Sequence, residues 1–183
     1  DLSSNATGAG GMTLLSTQTA SSDSTITFAS GINSTYKEYV FKYYDVHPSA
    51  GAMLAVNFRD GSTAYDATKT STFFEVYQNE AGSSTSLAYV TDYDLAQSTA
   101  VQPIGYVGNE NDESLAGTLH LYDPSSTTYV KHFISRTHGY HGSDLALTSY
   151  IAGYCNTTAA IDGVQFSMTS GNIDAGTFKM YGV

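Results

Sequence analysis

Apolar and aromatic residues recur at every second position along most of this chain, and that period admits few folds. Tyr39, Phe41 and Tyr43 fall on one face of an extended segment, with Lys37, Glu38 and Lys42 at its margins. Leu115, Gly117, Leu119 and Leu121 alternate with Thr118, His120 and Tyr122, and Val164, Phe166 and Met168 alternate with Gln165 and Ser167. Near the end, Phe178 and Met180 lie opposite Lys179 and Tyr181. A side-chain period of two is the pattern of a half-buried strand. Its recurrence over the chain is what two packed antiparallel sheets require. The turn signals Asp60-Gly61, Ala81-Gly82-Ser83, Pro124-Ser125 and Gly171-Asn172 fall at the spacing of a sandwich rather than of βαβ units. Even the best helical candidate, Ser143 to Tyr154, carries β-branched residues and Gly153 that favour a strand. The expectation is an all-β protein: an antiparallel β-sandwich, a jelly roll of about ten strands, over residues 23–183. Residues 1–22, rich in Ser, Gly, Ala and Thr, are expected to form a flexible N-terminal arm.

Composition narrows the function classes. With 183 residues the chain suits one domain. Seven Lys and Arg against 17 Asp and Glu give a formal net charge of −10. That balance argues against nucleic-acid binding, which rests on clustered cations. No stretch reaches the roughly 20 apolar residues of a membrane span, and no basic start followed by an apolar run marks a signal peptide. A start at Asp1 rather than Met leaves processing or excision from a longer protein open. The single cysteine, Cys155, excludes an internal disulfide and is expected to be a buried, inert thiol.

Candidate sites are few. Of five histidines (His47, His120, His132, His138 and His141), only His138 and His141 are close, and with Asp144 they form a candidate metal site in a Gly-rich loop. The competing expectation there is a solvated hairpin. The segment Asn109-Glu110-Asn111-Asp112-Glu113 offers oxygen ligands for Ca²⁺ but lacks the Gly and distal Glu of an EF-hand loop, so an exposed acidic loop explains it equally. Asp60, Asp66, Asp92 and Asp94 raise the same question. No cofactor is expected, Ca²⁺ being the one candidate. Ser143 beside His141 and Asp144 is too compact to be a triad, and no G-x-S-x-G elbow occurs. A sandwich hydrolase would need two carboxylates across a cleft; Asp92 and Asp94 alternate with Tyr93 and could share a strand face, but nothing in the sequence indicates a cleft. Tyr65, Tyr89, Tyr93, Tyr106 and Tyr140 lie in or beside expected loops and are candidates for a contact surface, since tyrosine pairs an apolar ring with a hydroxyl. The alternative is that they close the sandwich edges. Three N-x-[ST] triplets, at Asn5, Asn33 and Asn156, matter only in a secreted eukaryotic protein.

Two stretches carry a resemblance. One runs from Ser30-Gly31-Ile32 through Ser34-Thr35-Tyr36 and Glu38-Tyr39-Val40-Phe41 to Pro48. The other runs from Ala159 through Ile161-Asp162-Gly163-Val164 to Ser170-Gly171-Asn172-Ile173 and Gly176-Thr177-Phe178-Lys179-Met180-Tyr181-Gly182. Together with Asn57-Phe58-Arg59-Asp60-Gly61 they resemble a family of virion structural proteins of tailed bacteriophages, common in marine and cyanobacterial phages. The family more often has Leu where this chain has Met180, a volume-conserving difference. The resemblance implies a sandwich displayed on a phage particle, as a capsid decoration or a tail or neck appendage, without catalytic function. It also implies other virion proteins as partners, homo-oligomerisation and a location on the virion surface. The alternatives are a receptor- or glycan-binding tip of a tail fibre, with a host surface glycan as partner, and a secreted hydrolase.

Overall fold

The computed structural model describes residues 11–183. Twelve strands make it up: β1 (Thr13–Asp23), β2 (Thr25–Phe28), β3 (Glu38–Pro48), β4 (Ala52–Arg59), β5 (Lys69–Asn79), β6 (Thr85–Tyr89), β7 (Gln102–Val107), β8 (Leu115–Tyr122), β9 (Lys131–His141), β10 (Leu145–Cys155), β11 (Gly163–Met168) and β12 (Ile173–Gly182). All strand pairs are antiparallel. Eight strands form one sheet in the order β1-β12-β3-β8-β9-β10-β5-β6, and four form a second in the order β2-β11-β4-β7. The protein is a β-sandwich with one broad and one narrow sheet, and Ser143 to Tyr154 falls in strand, as its β-branched content requires.

Two expectations need correction. The strands number twelve rather than about ten. Thr13–Asp23 is an ordered edge strand, not part of an arm: it pairs with β12 from Thr13↔Gly182 to Asp23↔Ile173. Only Ala20 of β1 is fully buried, with Leu15 packed on the core. This strand is therefore held mainly by its main-chain ladder, which Ser/Thr-rich composition does not announce. Residues 1–10 of the expected arm lie outside the described residues.

The core forms where the inner faces meet. Tyr39, Phe41, Tyr43, Leu119, Leu121, Phe133, Phe166 and Phe178 are all buried to within 1% of full burial. Phe166 on β11 stands at the centre, with ring centroids 5.2 Å from Phe178, 5.7 Å from Tyr43, 5.9 Å from Phe41 and 6.4 Å from Phe28. These are edge-on and tilted contacts of the kind aromatic quadrupoles favour. The Tyr43 hydroxyl reaches Thr137 Oγ1 at 2.6 Å and Ser135 Oγ at 3.1 Å, so burying it leaves no orphan. Burial pushes that phenol up to about 12. Gly139 lets β7 close on β9, because a Cβ there would sit 2.2 Å from the Tyr106 carbonyl oxygen. Strand β4 breaks the period of two: Ala52 to Phe58 are all buried. It lies between β11 and β7 in the narrow sheet, and Asn57 on it donates to the Thr99 carbonyl.

Cys155 is fully buried, as its apolar neighbours imply, and burial pushes its thiol up to about 12. In the sheet it lies between Lys69 and Lys131, both also fully buried. Lys131 Nζ donates to the carbonyls of Ser126, Tyr129 and Thr157 at 2.8 to 3.1 Å. Lys69 Nζ donates to Asn57 Oδ1 and to the Ala67 carbonyl at 2.7 Å. The two ammonium groups therefore cap loop carbonyls, and burial lowers both pKa values, that of Lys69 to about 8.

Two predictions follow from this core. Phe166→Ala removes the ring four aromatics pack against and is expected to cost about 3–5 kcal/mol, read by urea denaturation; a loss below 1 kcal/mol would contradict the arrangement. Because the Lys69 pKa falls on folding, the unfolded chain holds more protons above pH 8, and stability rises with pH between about 8 and 10.5. The raised Cys155 thiol works the other way above pH 9. The denaturation free energy is thus expected to climb by about 1 kcal/mol from pH 7.5 to 9, and the climb is expected to vanish in Lys69→Met.

Candidate functional site

The narrow sheet covers one face of the broad sheet, and among the described residues the other face is bare. In antiparallel sheets directly opposed residues share a face, so the register defines what the bare face displays. One row crosses seven strands: Lys179 on β12, Lys42 on β3, Thr118 on β8, Arg136 on β9, Tyr150 on β10, Phe74 on β5 and Tyr89 on β6. Phe74 and Tyr150 stack with centroids 5.0 Å apart and planes 10° from parallel. The adjacent rows add Tyr181, His120 and Ile134 on one side, and Tyr44 and His138 on the other. Phe74 is 41% exposed, Ile134 47% and Tyr89 52%. Exposed aromatic residues in adjoining rows make this face a candidate contact surface.

The cations on this face sit over tyrosines. Lys42 Nζ lies 5.6 Å from the Tyr181 ring centroid, and Lys179 Nζ 5.5 Å from that of Tyr44. The neighbouring Tyr44 side chain raises the Lys179 pKa. Strand β8 forms the floor of a groove of about 560 Å³, with Ala116, Gly117 and Thr118 at the bottom. Lys42 and Tyr44 stand on one side of it and Arg136 and His138 on the other. Glu38 holds His120 at one end of the groove.

The tyrosines nominated from sequence do not share a surface. Tyr89 is exposed on the edge strand β6, and its hydroxyl donates to Asp94. Tyr140 lies on the bare face of β9 and donates to Asp144 at 3.2 Å; partial burial, with Glu80 and Asp144 nearby, raises its pKa. Tyr93 packs edge-on against Phe73 at 5.3 Å, closing the core beneath the 90–101 loop. Tyr106 packs on the core and stacks on His141 at 4.2 Å. Tyr65 lies at the rim of the narrow sheet under the Arg59 guanidinium, which pairs with Asp162 at 2.7 Å. Three of the five therefore close edges or pack on the core, because loop-flanking tyrosines are drawn to wherever an apolar ring finds cover.

The histidine site does not assemble either. His138 and His141 are three residues apart on β9, and an odd spacing in a strand puts side chains on opposite faces. His138 is exposed and meets Thr148 Oγ1 at 3.0 Å. His141 turns inward onto Tyr106, accepts the Ser143 N–H at 3.1 Å, and has its pKa lowered by burial. Asp144 closes the hairpin in a left-handed conformation, φ 55°, and accepts from Tyr140. The acidic segment also differs from expectation. Glu113 is buried rather than exposed, and its carboxylate accepts the Glu110 N–H, fastening the turn. Among the described residues no three His, Cys, Asp or Glu side chains converge as metal ligands, and no helix is long and apolar enough to cross a membrane.

The bare-face groove escaped the reading of the sequence because its members come from three strands separated by up to 96 positions, Lys42 to His138. Only the strand order brings them together. No protein-family model and no curated protein matches the chain.

The opposed imidazoles make a direct prediction. Zn²⁺ or Ca²⁺ in tenfold excess is expected to move the melting temperature by less than about 1 °C, since an ion bound only by the folded state would raise it by mass action. A saturable rise lost in His138→Ala would contradict the assignment.

Proposed function

We propose that this chain is a non-catalytic structural protein displayed on the surface of a tailed-phage virion, as a capsid decoration or a tail or neck appendage. The observation that carries this reading is where the two resembling stretches lie in the fold. Ser30–Pro48 supplies β3, and Ala159–Val183 supplies β11 and β12. Strands β3 and β12 are paired, and β11 lays Phe166 on Phe41, Tyr43 and Phe178 between the sheets. Gly182, in the closing motif, lies where a Cβ would meet the ring of Tyr36, in the opening one, at 2.3 Å. The likeness thus falls on one packed unit of the sandwich, and its residues act in packing rather than chemistry. On this reading the repeated crossings between sheets from β1 to β5 belong to an elaborated jelly roll, and the partners are other virion proteins and further copies of the chain.

Antibody raised against residues 11–183 and imaged on intact particles by electron microscopy tests the proposal. Label on the capsid or on the tail and neck supports it and says which appendage it is; particles that carry no label contradict it.

A further inference from the structure

We propose that the groove along β8 on the bare face of the broad sheet binds an acidic polysaccharide, held by Lys42 and Arg136 on its two walls, with Lys179 beyond Lys42, and stacked on Tyr44. The inference concerns the surface of the isolated chain and does not depend on where the protein is displayed.

The argument begins with how few cations the chain has and where they go. Of seven Lys and Arg, Lys69 and Lys131 are buried under loop carbonyls. Lys37 pairs with Asp123 and Arg59 with Asp162. The remaining three, Lys42, Arg136 and Lys179, have no carboxylate partner among the described residues, and all three fall in one row of the bare face. Lys42 and Lys179 are even directly opposed, an arrangement that costs a sheet stability. In a chain of net charge −10, its three unpaired cations thus fall within four adjacent strands of one row, with only Thr118 between them. The tyrosine rings beneath the two lysines offset part of that cost. Carboxylates lie around the margins of this face: Glu38 beyond His120, Asp144 and Glu80 beyond Tyr140, and Asp45 and Asp112 beyond Tyr44.

Geometry and charge then select the ligand. Strands lie about 4.8 Å apart, so Lys42 on β3 and Arg136 on β9 flank the β8 floor from about 10 Å apart. That width admits one extended polymer chain. Arg136 offers a planar fork suited to a carboxylate or sulfate, and the Tyr44 ring offers an apolar face to the C–H side of a sugar. A phosphate backbone fits less well. It carries a charge about every 3.4 Å along each strand, denser than three cations can neutralise, and the acidic remainder of the protein repels it. A polymer with one carboxylate per sugar and uncharged ring faces between suits a groove where Lys42 and Arg136 face each other across the floor and Tyr44 lies two residues along β3 from Lys42.

The test is affinity electrophoresis and calorimetry of the purified chain with polygalacturonate, with neutral dextran, poly(U) and the protein alone as comparisons. Retention by polygalacturonate that weakens with added salt, and little retention by dextran, is expected. Arg136→Gln and Lys42→Gln are each expected to lower the affinity roughly tenfold, the loss of one charged hydrogen bond. Lys37→Gln at the edge is expected to leave it unchanged, and all three variants to keep the parental melting temperature. Tyr44→Ala should weaken binding with the salt dependence retained. Absence of binding overturns the proposal. So does poly(U) binding equal to that of polygalacturonate, or concentration-dependent self-association abolished by Arg136→Gln, which would make the face an interface between copies.

Discussion

The burial of Phe166 between two sheets of unequal width is the constraint on which the rest of this molecule depends. Its ring contacts Phe28 of its own sheet and Phe41, Tyr43 and Phe178 of the facing one. The strands that carry those facing rings, β3 and β12, are thereby fixed, and β1 and β8 are laddered to them. Because four strands cannot cover eight, the inner face of β5 is closed by the 90–101 loop instead. Tyr93 packs on Phe73, the Ser71 N–H donates to the Leu95 carbonyl, and Gln102 donates to the Tyr93 carbonyl. Loop tyrosines are consumed in that closure.

The same sheet that is sealed on one side is left open on the other. Its inner positions are mostly apolar or hydrogen-bonded, as in the Tyr43–Thr137–Ser135 cluster, though the buried Ser149 hydroxyl has no partner, and its outer positions carry cations, aromatics and histidines. Folding and recognition are separated by the pleat itself: adjacent residues such as Ser135 and Arg136 serve opposite sides. Substitution on the outer side therefore acts on binding with little effect on the core, and substitution on the inner side acts on stability.

Much of the fold was legible from the period of two. Tyr39, Phe41, Tyr43, Leu119, Phe166 and Phe178 all face the core as alternation requires, and the expected turns at Gly61, Gly82 and Gly171 take positive φ between strands. What failed did so for physical reasons. Strand β1 is polar because an edge strand needs little burial, so composition hid a main-chain ladder. His138 and His141 looked adjacent in sequence but the strand separates them, and Glu113 looked solvated but folds back on Glu110 N. The outer-face groove was illegible, since Lys42, Arg136 and Lys179 meet only through the order β12-β3-β8-β9, which no local pattern encodes.

The division of the broad sheet into a folding face and a recognition face is most directly tested by amide and side-chain NMR mapping of the chain with an oligogalacturonate. Shift changes centred on Lys42, Tyr44, Thr118, Arg136 and His138, with Phe166 and its neighbours unmoved, are predicted. Changes centred on the loop tips around Tyr65, Tyr93 and Tyr106 instead, or spread through the core, would contradict it.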